Sequence, residues 1–253
     1  MTPPRKALAE FALALGDDSL MLGQRLSEWC GKAPFLEEDI AIANVALDYL
    51  GRAEKFYRYV SELEGGRRGV DDIAFLRDSR AYRNLLIFEL PVGDFARTMA
   101  RQLMVDAFHL PYLNRLSRST DARIGAIAAE AAKESRYHLK RSREWVLRLG
   151  GGTVESHGRI QRAFDALWGY GPEMFEMDRH EKALLESGVS VDRSALKAKW
   201  QASMTSILVE AGLKVSDQEW SIVGGRDGVH TEHHGYLLAE MQYMQRAYPG
   251  LAW

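Results

Sequence analysis

Three carboxylates stand where helical spacing calls for apolar side chains. Asp48 lies in line with Ala41, Val45 and Gly51. Asp106 is one turn from Leu103 and from Leu110. Glu134 follows Ile127 and Ala131 and precedes Trp145. Burying an ionised carboxylate without a partner costs several kcal/mol. These acids therefore call for a counter-charge, a hydrogen-bond network or a wet cavity. In a four-helix bundle the common compensator is a pair of metal ions. One Glu from each of two helices and a Glu-x-x-His pair from each of the other two hold it.

Along a ferritin-like chain those ligands come in the order Glu, Glu-x-x-His, Glu, Glu-x-x-His. This sequence fills the pattern only in part. The segment 37–64 offers Asp48. The segment 75–90 offers Asn84 at the carboxylate position and Ile87 at the histidine position. The segment 93–117 offers Asp106, and 121–149 offers Glu134 and Tyr137. Asn, Ile and Tyr are poor ligands for iron. The expectation is a degenerate di-iron pseudo-site of Asp48, Asn84, Ile87, Asp106, Glu134 and Tyr137, with no metal bound by this chain. Hydrogen bonds from the Asn84 amide, the Tyr137 hydroxyl and Arg52 or Arg141 would close it instead.

A rival register pairs Asp106 with His109 and Glu134 with His138, and adds Asp48 and Glu89. It would make the chain a di-metal oxidase in its own right. It puts both histidine pairs on consecutive helices, whereas the ferritin-like order separates them by one. Glu89 also stands two residues before Pro91, at the end of its helix. The plainer reading makes His109 and His138 surface residues, or residues that support a site from behind.

The run His230-Thr-Glu232-His233-His234 also has the residue types of a metal cluster. A zinc site needs a further ligand from elsewhere. Gly224, Gly225 and Gly228 before the run predict a tight entry into a helix, which favours packing, or contact between subunits, by His230, Glu232 and His233. Gly150-Gly-Gly152-Thr153 follows a helix rather than a strand, and no Gly-Lys-Ser/Thr follows it, so it reads as a helix stop.

The elements that position these residues are helices. Ile40, Ala43, Leu47, Leu50, Ala53 and Tyr57 recur at helical spacing. Helices are predicted over about 5–29, 37–64, 75–90, 93–117, 121–149, 155–170, 173–187, 193–212 and 231–247. Asp121 is a predicted N-cap. No alternating strand pattern and no interdomain linker is evident. The fold class is all-α: a single ferritin-like four-helix domain over 1–253, with core helices 37–64, 75–90, 93–117 and 121–149 and flanking helices around them.

Composition narrows the function. The 253 residues carry a formal net charge of -2. Nucleic-acid binding, which needs a basic patch, is not expected. No apolar run is long enough for a membrane span. A single cysteine, Cys30, cannot form an internal disulfide, and the start of the chain lacks the pattern of a signal peptide. The expected location is cytoplasmic.

Several segments carry a specific resemblance. They are Leu15-Gly-Asp17, Gln24-Arg-Leu-Ser-Glu-Trp-Cys-Gly31, Ile42-Ala-Asn-Val-Ala-Leu-Asp48 with Leu50-Gly51, and Lys133-Glu-Ser-Arg-Tyr-His-Leu139. Gly228-Val-His-Thr-Glu-His233 and Leu238-Ala-Glu-Met-Gln-Tyr-Met-Gln-Arg246 complete the set. Together the chain resembles the C subunits of phenylacetyl-CoA epoxidases, the multicomponent oxygenases that form the ring 1,2-epoxide in aerobic phenylacetate degradation. The resemblance implies a structural, non-catalytic subunit. It would pair with a homologous di-iron catalytic subunit, which holds the iron, while a separate reductase supplies electrons. It also raises a CoA-ester contact at Ala81, Tyr82, Arg83, Asn84, Lys182, Ala183 and Leu184. The alternative for those segments is a solvated helix face. The terminal aromatics Tyr243, Tyr248 and Trp253 read either as an interface between subunits or as a tail folded on its own bundle.

Overall fold

In the computed structural model, the stretch from Phe11 to Gly23 is buried on every side. That is the behaviour of a helix apolar all round. It forms the middle of α1 (Arg5–Ser27), which runs against α2 (Leu36–Leu63). The two are antiparallel: Arg5 reaches the Leu63 carbonyl at 2.8 Å, and Gly23 meets Leu50. Gly16 admits the Tyr57 ring, since a Cβ there would lie 2.6 Å from Cε1. The structure describes residues 4–217 and 219–251; Trp253 lies outside them.

The chain divides into two compact units. The first is Met1–Pro91 with Gly224–Trp253. Besides α1 and α2 it holds α3 (Val70–Phe75), α4 (Leu86–Glu89), α10 (Glu232–Met241) and α11 (Tyr243–Ala247). The C-terminal part of the chain thus returns to the N-terminal helices, with α10 against α4 and against the 3-10 turn Ser79–Ala81.

The second unit is Val92–Val223. It is built on α5 (Phe95–Leu116) and α6 (Ala122–Gly150), again antiparallel, with the Phe95 and Trp145 rings edge to face at 4.9 Å. Helices α7 (Val154–Leu167), α8 (Arg179–Leu185) and α9 (Lys197–Glu210) complete it. Asp121 caps α6 through the Ile124 N–H at 2.9 Å, as the sequence predicts. Helix α6 stops in the triple glycine, and Thr153 caps α7. Among the described residues no strand is present, and no helix is long and apolar enough to cross a membrane. The fold is all-α and ferritin-like.

The predicted helix 75–90 is the main departure. The chain there forms the 3-10 turn, an extended piece over 82–85 and only the four residues of α4. The predicted helix 173–187 is likewise shortened to α8 after a 3-10 turn at Pro172–Phe175. Helix 231–247 is split at Gln242 into α10 and α11.

Candidate functional site

The densest buried polar chemistry lies in the first unit, and it begins with two adjacent acids in the apolar run of α1. Asp17 accepts the Tyr57 hydroxyl at 2.6 Å, the Arg83 N–H at 2.7 Å and both terminal nitrogens of Arg77. Asp18 accepts the Leu85 N–H at 2.8 Å and a two-pronged pair from Arg226, at 2.8 and 2.6 Å. Two forked Arg–carboxylate pairs therefore face one helix, the strongest geometry such a pair can take. The extended run explains the register. Alternate residues of an extended chain point their N–H groups the same way, so Arg83 and Leu85 both donate to α1. Two of the four backbone donors in 82–85 are thus taken by side chains more than 60 residues away in sequence rather than by a local helical turn.

Burial, opposed by the neighbouring Arg77 charge and reinforced by Asp17, pushes the Tyr57 hydroxyl well above its ordinary range. Burial also holds Tyr82 up, at about 12. Arg77 lies 4.0 Å from the centroid of the Tyr82 ring. Burial alone would weaken its charge, but the Asp17 carboxylate reverses that and fixes Arg77 as a cation.

A second cluster adjoins this one. Glu89 is fully buried. It accepts Asn84 Nδ2 at 2.8 Å and the Thr231 N–H at 2.6 Å, and its Oε2 is 2.7 Å from His230 Nδ1. The His230 and His234 rings stack at 3.9 Å and 13°. His234 Nδ1 is 2.8 Å from the Ser79 hydroxyl. Donor atoms of Glu89, His230 and His234 lie within 4.8 Å of one another. Stacked imidazoles, however, direct their in-plane lone pairs along parallel lines, whereas a tetrahedral ligand set has to converge on one point. The arrangement suits a hydrogen-bonded clamp that holds the start of α10 on α4.

The clamp has a pH signature. Burial, reinforced by His230, depresses His234 to about 4. Burial would raise Glu89, but hydrogen bonding and charge from His230, with bonds from Asn84 and Thr231, carry it below its ordinary value. Both groups give stability that acid removes. Below pH 6.5 the unfolded chain protonates the histidine first, and the folded state loses ground down to about pH 4. Glu89 adds its share as pH falls through its lowered folded value. We expect amides of α10 to lose up to about 3 kcal/mol of exchange protection between pH 7 and 4. His234→Leu should flatten the upper part of that fall; an unchanged slope would contradict the assignment.

The residues singled out in the sequence fall as follows. Asp48, Asn84 and Ile87 belong to the first unit; Asp106, Glu134 and Tyr137 to the second. Asp106 is buried, and Asp48 and Glu134 are half-buried. Asn84 and Ile87 are fully buried but do not share a helix, because Asn84 precedes α4. The amide of Asn84 is committed to Glu89. Tyr137 is 54% exposed, so the closure of a polar core by its hydroxyl is corrected. The neighbouring His138 is the buried member of that turn. His138 and His109 are both buried, which corrects their reading as surface residues. Arg52 lies over the Tyr49 ring at 4.8 Å, and Arg141 Nη1 is 3.8 Å from Met99 Sδ.

Of the C-terminal residues, His230 joins the clamp and Glu232 is exposed. His233 is half-buried and offers its carbonyl to Arg25 at 3.3 Å. Tyr82 is buried, its hydroxyl spent on the Ala74 carbonyl at 2.6 Å. Arg83 donates to the Arg80 and Tyr82 carbonyls, and Ala81 is half-buried. Lys182 and Ala183 are exposed, and Leu184 is buried. The sequence reading missed Asp17, Asp18, Arg77 and Arg226 as a connected set. The signal was present as two acids inside an otherwise apolar run.

Comparison with known proteins bears on the same segments. The whole chain, residues 1–253, matches the family model described as "Phenylacetic acid catabolic protein". It is 47% identical over 246 residues to the C subunit of the 1,2-phenylacetyl-CoA epoxidase of Escherichia coli (strain K12), covering 97% of this chain and 99% of that protein. The chain belongs to the phenylacetic acid catabolic protein family.

Proposed function

We propose that this chain is the non-catalytic C subunit of a phenylacetyl-CoA epoxidase complex. It pairs with a homologous di-iron subunit and holds it in its working form. One observation carries the reading. Of the four long helices α1, α2, α5 and α6, only α5 carries an acid-x-x-His pair, Asp106 with His109; α1 and α2 contain no histidine, and on α6 the residue three after Glu134 is Tyr137. A ferritin-like di-iron centre is held by two such pairs, from two different helices. The residues present do not fit a di-iron centre, and no oxygen chemistry is assigned to them. The name of the 47% identical relative, an epoxidase subunit, supports the role as one subunit of such a complex. The cytoplasm is the proposed location.

The chemistry left to this chain is mechanical. Its first unit is fastened internally by two forked ion pairs and the Glu89 clamp, and so offers a stiff partner. Ring epoxidation of phenylacetyl-CoA, with O2 and electrons from a separate reductase, belongs to the assembled complex. Contacts to the CoA ester are proposed only from the accessible members of 81–84 and 182–184, which are Ala81, Arg83, Lys182 and Ala183; Tyr82, Asn84 and Leu184 are buried.

Reconstitution tests it. The catalytic subunit is purified with and without this chain, and epoxide formation is followed with reductase and phenylacetyl-CoA present. We expect a stable heteromer and activity that depends on this chain. Full activity of the catalytic subunit alone would refute the role.

A further inference from the structure

Helix α2 carries two apolar stripes, and only one is used within the first unit. Ile42, Val45, Tyr49, Ala53, Phe56 and Val60 are buried. On another side Leu36 is 72% exposed, Ile40 54% and Leu47 63%. Half-buried Ala43 and Gly51 fall on the same line. Positions 36, 40, 43 and 47 step by four, three and four residues. That is the seam spacing by which one helix receives another. Phe35, exposed at the head of α2, extends the patch. The four large side chains leave on the order of 400 Å² of apolar surface in water. That is as much as the largest patch on a typical monomer, and about half of what one partner contributes to a standard interface.

Charge selects the occupant. From Leu36 to Gly51 the helix carries Glu37, Glu38, Asp39 and Asp48 and no lysine or arginine. A second copy seated on this seam in either direction would bring the same all-acidic stretch, four carboxylates and no Lys or Arg, against its own. Like charges brought together at an interface disfavour that partner. A different chain, with an apolar helix face flanked by basic residues, meets no such penalty.

We infer that the outward seam of α2, Leu36–Ile40–Ala43–Leu47, is the surface on which this chain receives a helix of the homologous catalytic subunit, its seam flanked by Lys or Arg. The inference rests on the heteromeric role proposed above and names the face that serves it. Small side chains at Ala43 and Gly51 let the two helix backbones approach closely.

The test uses full-length chains co-expressed with the catalytic subunit and analysed by native mass spectrometry and titration. Ile40→Glu and Leu47→Glu are made singly and together, with Ile40→Ala/Leu47→Ala as a milder pair. Both positions are exposed, so thermal unfolding of the isolated chain should hardly change. The double Glu variant should weaken the complex at least about thirty-fold, as loss of interface anchors does. Glu37→Lys/Glu38→Lys should slow association. If the wild-type complex forms and the double variant binds equally well, the seam is refuted while the subunit role stands. If the wild-type chains do not associate at all, both fall. If this chain instead forms a homodimer that the double variant abolishes, the heteromeric occupant is wrong.

Discussion

Replacing Arg77 with methionine will destabilise the first unit by about 3–5 kcal/mol, the cost of leaving a buried carboxylate without its partner. Asp17 is fully buried and receives both terminal nitrogens of Arg77. Arg77 also donates to the Ile73 carbonyl at 2.6 Å and the Ala81 carbonyl at 2.9 Å. It thus ties α1 to the end of α3 and to the turn that follows. Methionine keeps much of the volume and supplies none of the charge. Hydrogen exchange of α1 amides over 12–23 reads the effect locally, and exchange there should quicken by two orders of magnitude or more. Asp17→Asn in the same background removes the stranded charge and should recover part of the loss. If Arg77→Met alone were neutral, the ion pair would not hold the unit.

The second large effect is steric. A Cβ on Gly225 would drive into the backbone carbonyl of Asn84, and neither partner is a flexible side-chain end. Gly225 begins the short turn that carries Arg226 to Asp18 and leads into His230. Gly225→Ala should push this turn off the 82–85 segment, at about 2–3 kcal/mol for an overpacked site. Because Arg226 and His230 move with the turn, protection of the Leu85 and Thr231 amides should fall together. Gly235→Ala is the control. A Cβ there meets nothing within 4 Å, on an exposed helical position, and alanine in place of helical glycine is neutral or stabilising. Equal melting temperatures for the two variants would contradict the account.

The long helices were legible because their signal is local. Periodic apolar positions, the Asp121 cap and the triple-glycine stop each lie within a few residues of what they determine. The segment 75–90 was misread for the opposite reason. Its backbone is held by Asp17 and Asp18, more than 60 residues away in sequence. A helical pattern of side chains cannot reveal that the Arg83 and Leu85 N–H groups are held by distant carboxylates. Glycine signals were legible in part. Gly224 and Gly228 adopt φ of 141° and 74°, and the cluster does introduce a turn before α10.

The candidate site was read less well, and phase is the cause. On α6 the sequence reading placed Tyr137 inward, while the structure buries His138 beside it. A shift of one residue turns a side chain by about 100° on a helix. Glu89 looked like the frayed end of a helix near Pro91; it is instead fully buried and bonded to three different residues. His234 was passed over in favour of His233. The buried histidine stacks on His230 one turn away, and the carbonyl of His233 turns to Arg25.

The central claim is that this chain lacks the donors for a di-iron centre and leaves the chemistry to its partner. Anaerobic loading of the purified chain with ferrous iron, desalting and measurement of iron per chain test it most directly, with the catalytic subunit loaded in parallel. The account predicts iron well below one per chain here and about two per chain in the catalytic subunit, the occupancy of a di-iron centre. Two tightly bound irons in this chain, lost on replacing Asp106 or Glu134 with alanine, would contradict it.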